Sequence, residues 1–202
     1  MDEAEFAELL GQGHELSGVE YKAPGSRKDK SLAARVTRAC LGMANRRGGG
    51  VVIVGVVQKA QQPPVPVGLS PSDAPTWNHD ELSDTLSEYA DPSISFELEL
   101  FYYQRKTLIR IKVAEFHDIP VLCKKDYAGI LRKGACYVRA RRKPETSEVP
   151  TQEDMRELLD LAAEKRLRTF VAQAHASGLF PLASPQPSDT ESFDRQAKDF
   201  LG

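Results

Sequence analysis

The chain has 202 residues, 41% hydrophobic and 28% charged, with a formal net charge of -2. That length suits one ordinary domain with its own core, the balance is globular, and no apolar run of the roughly 18 residues needed to span a bilayer occurs. An acidic start (Asp2, Glu3, Glu5, Glu8) is the opposite of a secretory signal, and three cysteines, Cys40, Cys123 and Cys136, are too few and odd in number for a disulfide framework, so the expected location is the cytoplasm.

Phe6, Leu9 and Leu10 fall at helical spacing before Gly11, which predicts a short first helix. Val19 and Tyr21 alternate with Glu20 and Lys22, a short strand that Pro24 and Gly25 end. Ser31 is the expected cap of a helix over 32–45, with Leu32, Val36, Ala39, Cys40 and Met43 on one face, and Gly48 to Gly50 stop it. The β-branched run 51–57 reads as a central strand buried on both faces. Five prolines predict an extended loop over 60–76, and Leu82, Leu86 and Tyr89 mark a helix over 80–90. From Ile94 the period becomes two, giving a hairpin that turns around Arg105 and returns through Leu108 to Val113. Two further strands are expected at 119–123 and 135–140. Thr151 and Asp154 form a capping box for a helix, a second helical piece is expected over 167–176, and a last short one over 193–201 in a loose tail. The expected fold class is α+β with a sheet of five or six strands, one domain over 1–177 and a tail over 178–202.

Net charge conceals two basic stretches. Residues 22–47 carry Lys22, Arg27, Lys28, Lys30, Arg35, Arg38, Arg46 and Arg47 against Asp29, eight cations less one carboxylate, or +7. Residues 124–143 carry Lys124, Lys125, Arg132, Lys133, Arg139, Arg141, Arg142 and Lys143 against Asp126, again +7. Solvated faces account for many such runs, but two together point to phosphate contacts with RNA or DNA. An acidic protein partner is the competing reading. Tyr21, Tyr127 and Tyr137 are candidates for base stacking, although strand tyrosines commonly serve the core.

Several chemistries find no support. No phosphate-binding loop motif occurs, and the glycines at 48–50 follow a helix and precede a strand, so ATP is not expected. Cys40 lies on an apolar helix face and reads as packing. Cys123, Cys136 and His117 lack the close ligand pairs of a zinc site. Glu15 and Glu20, with Lys22 two residues on, form an acidic pair of the kind that holds a divalent cation, and a surface ion pair is the plainer account of the same spacing.

Three motifs in order, Gly18-Val19-Glu20-Tyr21-Lys22, Ala44-Asn45-Arg46-Arg47-Gly48-Gly49 and Val52-Ile53-Val54-Gly55-Val56, resemble the Schlafen AlbA-type domain, and Gly134 to Arg139 is similar to its last strand. The resemblance runs from about Glu15 to about Leu161. It implies a mixed, mainly antiparallel sheet flanked by helices and a role in binding DNA or RNA. In the nuclease branch of that family two glutamates five positions apart join an aspartate beyond the Gly-Val strand to hold metal and cut RNA, notably tRNA. The resemblance therefore implies Glu15 and Glu20 as ligands of Mg²⁺ or Mn²⁺ and Lys22 as the electrostatic helper, if the chain cuts at all. The aspartate's place falls near Gln58, and no carboxylate occurs from Gly48 to Ser72. Animal Schlafens set two such lobes around their RNA, so a homodimer is expected of this one-lobed chain.

Overall fold

The structure, a computed structural model, describes residues 3–11, 18–59, 62–139 and 145–179. It divides into two compact units, Met1–Ala163 and Glu164–Gly202. In the first unit the chain runs α1 (Glu3–Gly11), β1 (Val19–Lys22), α2 (Lys30–Ala44), β2 (Gly50–Val54), β3 (Val56–Val57) and β4 (Val65–Pro66). A 3-10 turn (Ala74–Thr76), α3 (His79–Tyr89), β5 (Ala90–Asp91), β6 (Phe96–Tyr103), β7 (Lys106–Val113), β8 (Leu122–Cys123), β9 (Tyr137–Arg139) and β10 (Thr146–Glu148) follow. Helix α4 (Gln152–Ala176) begins in the first unit and passes the division.

The main sheet has four strands in the order β1-β2-β7-β6, with β1 parallel to β2 and the rest antiparallel. The expected five or six strands are thus too many for one sheet. β3 with β4, β5 with β8 and β9 with β10 form separate two-stranded ladders instead. The run expected as one strand over 51–57 breaks at Gly55. That residue sits at φ 108°, its N–H donates to the Lys22 carbonyl at 2.9 Å, and its carbonyl accepts from Val67 N–H at 2.8 Å. The bend turns the chain out of the sheet into the proline-rich segment.

Period two sorts the side chains. Val52, Val54, Ile109, Ile111 and Val113 join α2 and α3 in the larger core. Val19, Tyr21, Ile53, Phe101 and Leu108 point the other way and pack around Phe6 of α1. The Phe6 ring meets those of Phe101 and Tyr103 edge-on, with centroids 5.2 and 5.0 Å away. The β6–β7 hairpin turns through Gln104 and Arg105, both at positive φ, as a tight two-residue turn requires.

Asp29, rather than Ser31, caps α2: its carboxylate accepts from Ser31 N–H at 2.8 Å and Leu32 N–H at 3.3 Å. At the other end Asn45 is buried and acts as a tie. Its amide donates to the carbonyls of Val121 at 2.8 Å and Tyr137 at 2.9 Å, while its Oδ1 accepts from Val121 N–H at 2.7 Å. Gly49 follows at φ 68°, and a Cβ there would strike the Val113 carbonyl oxygen. These contacts fix where α2 stops and β2 enters.

The capping box of α4 forms as expected, with Asp154 N–H donating to Thr151 Oγ1 at 3.1 Å. Leu158, Leu161 and Ala162 enter the larger core. One helix continues to Ala176 where two pieces were expected. In the second unit Arg168 pairs with Glu164 one turn back and Ala174 is buried. The short helix expected over 193–201 lies outside the described residues.

Candidate nucleic-acid interface and its buried carboxylate

Alternation along β1 sends Val19 and Tyr21 to the α1 side of the sheet and Glu20 and Lys22 to the α2 side. The second side is covered at that point, so Glu20 is only 6% exposed. A buried carboxylate demands partners, and among the described residues Glu20 has three. Arg139 Nη1 donates to its Oε2 at 2.9 Å, Thr146 Oγ1 donates to the same oxygen at 2.5 Å, and Lys22 Nζ pairs with Oε1. Arg139 completes the knot by donating through Nη2 to the Val19 carbonyl at 2.6 Å. Strand β1 is thereby fastened to the β9–β10 ladder, 119 residues away in sequence.

The cations expected to face phosphate fall into three groups. Arg27 is turned inward: its Nε donates to the Thr76 carbonyl at 3.1 Å, Nη1 to Thr85 Oγ1 at 3.1 Å, and Nη2 pairs with Glu81. Hydrogen bonding from Arg27 holds the Glu81 carboxyl below its ordinary range. Arg38 is half-buried with its guanidinium carbon 5.2 Å from the Tyr137 ring centroid, and its Nε has no partner among the described residues. Arg46 folds onto its own loop, donating to the carbonyls of Arg47 at 3.0 Å and Gly49 at 2.8 Å. Arg139 is buried on Glu20.

Lys125 and Arg132 form the second group. They stay exposed but are matched, Lys125 with Glu88 and Arg132 Nε with Glu148 at 2.9 Å. Lys28, Lys30, Arg35, Arg47, Lys124 and Lys133 make up the third and are exposed. Around Lys28, Lys30 and Arg35 the nearest carboxylate in sequence, Asp29, is spent on the α2 cap. Glu15, Arg141, Arg142 and Lys143 lie outside the described residues.

A cleft of about 300 Å³ beside the knot brings Arg46, Arg47 and Arg139 together with Asp154 and Glu157. Its charges nearly balance, so it is not a basic pocket. Among the described residues no three His, Cys, Asp or Glu side chains converge as a metal would require, and His117 is exposed. Burial raises the thiols: Cys40 is pushed well above the ordinary value by desolvation and then by Glu20, and Cys136 to about 11 by desolvation, which disfavours the reactive thiolate. Tyr21 and Tyr137 are buried, and the Tyr137 hydroxyl accepts from Arg132 N–H at 2.9 Å, which leaves neither ring for stacking.

The family model described as Schlafen, AlbA_2 matches residues 15–147. The chain belongs to that family. No curated protein matches it. Among solved structures, the DIP2311 protein of Corynebacterium diphtheriae is similar with TM-score 0.49 and 17% identity over 72% of this chain and 26% of that one. The chain thus spans about a quarter of that protein's length. The N-terminal domain of a putative ATP-dependent DNA helicase RecG-related protein from Nitrosomonas europaea aligns with TM-score 0.48 and 21% identity, covering 66% of this chain and 89% of that one.

Within this AlbA_2 domain the shared motifs have structural work to do. The Gly18–Lys22 motif supplies the buried Glu20, Ala44–Gly49 supplies the Asn45 tie and the Gly49 approach, and Val52–Val56 supplies the central strand and its Gly55 break. Sequence reasoning missed Asn45, Thr146 and the carboxylates Glu81, Glu88 and Glu148 that absorb cations from other elements. Asn45 was visible in the Ala-Asn motif; nothing in spacing links the rest. No helix among the described residues is long and apolar enough to cross a membrane.

Proposed function

We propose that this AlbA_2 domain binds nucleic acid in the cytoplasm by contacting the phosphate backbone, with little base readout. The observation that supports this most is the cluster of Lys28, Lys30 and Arg35, exposed at the start of α2 beside an Asp29 already committed to the helix cap. Arg47, Lys124 and Lys133 add exposed cations, and Arg141, Arg142 and Lys143 extend the second stretch in sequence. Backbone contacts of this kind release counterions, so affinity falls steeply with salt. A homodimer fits this reading by doubling the surface.

The test is anisotropy or gel retardation with labelled tRNA and duplex DNA at two salt concentrations. The triple variant Lys28→Ala, Lys30→Ala, Arg35→Ala is expected to weaken binding about tenfold or more and to lower the salt slope by about 2 to 3, one phosphate contact each. Unchanged affinity and slope in that variant sink the proposal, and no retardation of either nucleic acid turns attention to an acidic protein partner.

The second reading, a ribonuclease dependent on Mg²⁺ or Mn²⁺ held by Glu15 and Glu20, meets a specific obstacle. Both Glu20 oxygens already accept from Lys22, Arg139 and Thr146. A cation at Glu20 must displace the Lys22 ammonium and lie near Arg139, so the described residues fit the ion poorly. Metal-dependent fragments of tRNA from the unaltered protein would establish cutting all the same. The unaltered chain is the right reagent, because any change at Glu20 disturbs the fold as well as the site.

A further inference from the structure

The two outer strands of the main sheet are finished differently. β1 is four residues long, carries the Glu20–Lys22 pair and is mostly buried. β6 is eight residues long, Phe-Glu-Leu-Glu-Leu-Phe-Tyr-Tyr, and among the described residues no strand pairs with its outer side. Natural edge strands are blunted by shortness, proline, bulges or charged side chains, lysine above all; β6 is long, has no proline, bulge or lysine, and carries only the glutamates Glu97 and Glu99. Both carboxylates are paired from within the sheet, Glu97 with Lys112 at 3.3 Å and Glu99 with Arg110 at 3.2 Å, which softens their charge without removing it. On the α2 side of the same strand Phe96 and Leu98 reach the core, whereas Leu100 is 42% and Tyr102 65% exposed.

We propose that β6 is a self-association edge on which a second copy of this chain docks, antiparallel and two-fold symmetric, joining two four-stranded sheets into one of eight. Symmetric pairing must place residues of one face opposite each other, and three registers are within reach. Centring on Glu99 sets two carboxylates directly opposite, which is unfavourable. Centring on Phe101 sets Leu100 against Tyr102 but overlaps only residues 99–103 of the strand and leaves Leu98 facing Gln104 of the turn. Centring on Leu100 overlaps residues 97–103, sets exposed Leu100 against its own copy and exposed Tyr102 against half-buried Leu98, and has Glu99 facing Phe101. The Leu100-centred register combines the longer overlap with no facing carboxylates. It stands independently of nucleic-acid binding.

Light scattering across a concentration series into the high micromolar range is expected to show a species of twice the 22.3 kDa chain mass. Leu100→Lys is expected to abolish it while circular dichroism and the melting midpoint persist. Register is read by crosslinking: in Leu100→Cys the two Cα atoms lie at about 4.5 to 5.5 Å, within the roughly 4.4 to 6.8 Å a disulfide accepts. In Tyr102→Cys the two copies are offset by four residues, about 14 Å. Mild oxidation therefore links the first variant and not the second, against the unaltered chain as control. A monomer at every concentration overturns the proposal, as does a dimer that survives Leu100→Lys or crosslinks equally in both cysteine variants. If Leu100→Lys fails to fold, the two cysteine variants decide.

Discussion

The two basic stretches carry the same formal excess in sequence, yet the fold spends them differently. In the first, Arg27, Arg38 and Arg46 are drawn into contacts with Glu81, Tyr137 and the glycine loop, and three cations around the α2 start stay outward. In the second, Arg139 is buried as the counter-charge of Glu20, and Lys125 and Arg132 are answered by Glu88 and Glu148 from α3 and β10. A run of cations in sequence is thus an upper bound on positive surface, because carboxylates distant along the chain cancel it in space.

The sharpest way to break the comparison is at Arg139. Removing one member of a buried, hydrogen-bonded ion pair leaves the other charge unmatched and typically costs about 3 to 5 kcal/mol. Arg139→Ala or Glu20→Ala alone should lower stability by that order in chemical denaturation. Glu20→Gln/Arg139→Met, which removes both charges, should recover much of the loss. A single variant as stable as the parent would mean that Arg139 is not the internal counter-ion and belongs with the surface cations after all.

The opposite behaviour is expected of the outward set. Lys28→Ala, Lys30→Ala and Arg35→Ala touch no core contact, and surface changes of this kind stay within about 0.5 kcal/mol of the parent stability each. Their effect belongs in the nucleic-acid titration. If instead these variants melt early while binding holds, the division into internal and external cations is wrong.

Thiol reactivity adds a smaller contrast. Cys40 is fully buried and Cys136 partly so, with its thiol pushed up to about 11. Iodoacetamide at mildly alkaline pH should label the folded chain slowly, Cys136 first, and all three cysteines quickly once denatured. Rapid labelling of the native protein would show that the β1–α2–β9 region opens.

Much of this fold was legible because its elements are local. The α2 stripe from Leu32 to Met43, the β6–β7 alternation and the Thr151–Asp154 box each declare themselves within a dozen residues. What stayed hidden depends on distance along the chain. The ladders β3–β4, β5–β8 and β9–β10 are two or three residues long, too short for periodicity to register, and Thr146 of β10 becomes meaningful only beside Glu20. Glu20 and Lys22 alternate with apolar neighbours as residues of a half-solvated strand do, and the sequence cannot reveal that β9 and β10 cover that side. The same blindness made Arg139 look like a backbone-tracking cation.

The mildest test concerns Arg132 and Glu148, exposed partners that close the second stretch. Hydrogen bonding from Arg132 holds the Glu148 carboxyl below its ordinary value of 4.5, with burial opposing. A carboxyl depressed by folding contributes stability that is complete above its unfolded value and disappears as pH falls through the folded one. Arg132→Ala should therefore leave the denaturation midpoint near neutrality almost unmoved, since exposed pairs are weak and screened. Whatever difference remains from the parent should fade below pH 4.5, and the Glu148 carboxyl resonance should titrate at higher pH in the variant. High salt should erase the stability difference while leaving the Arg139 variants impaired, because screening reaches the surface pair and not the buried one. An Arg132→Ala loss as large and as salt-resistant as that of Arg139→Ala would place both arginines inside the fold and leave the second stretch with little to offer a phosphate.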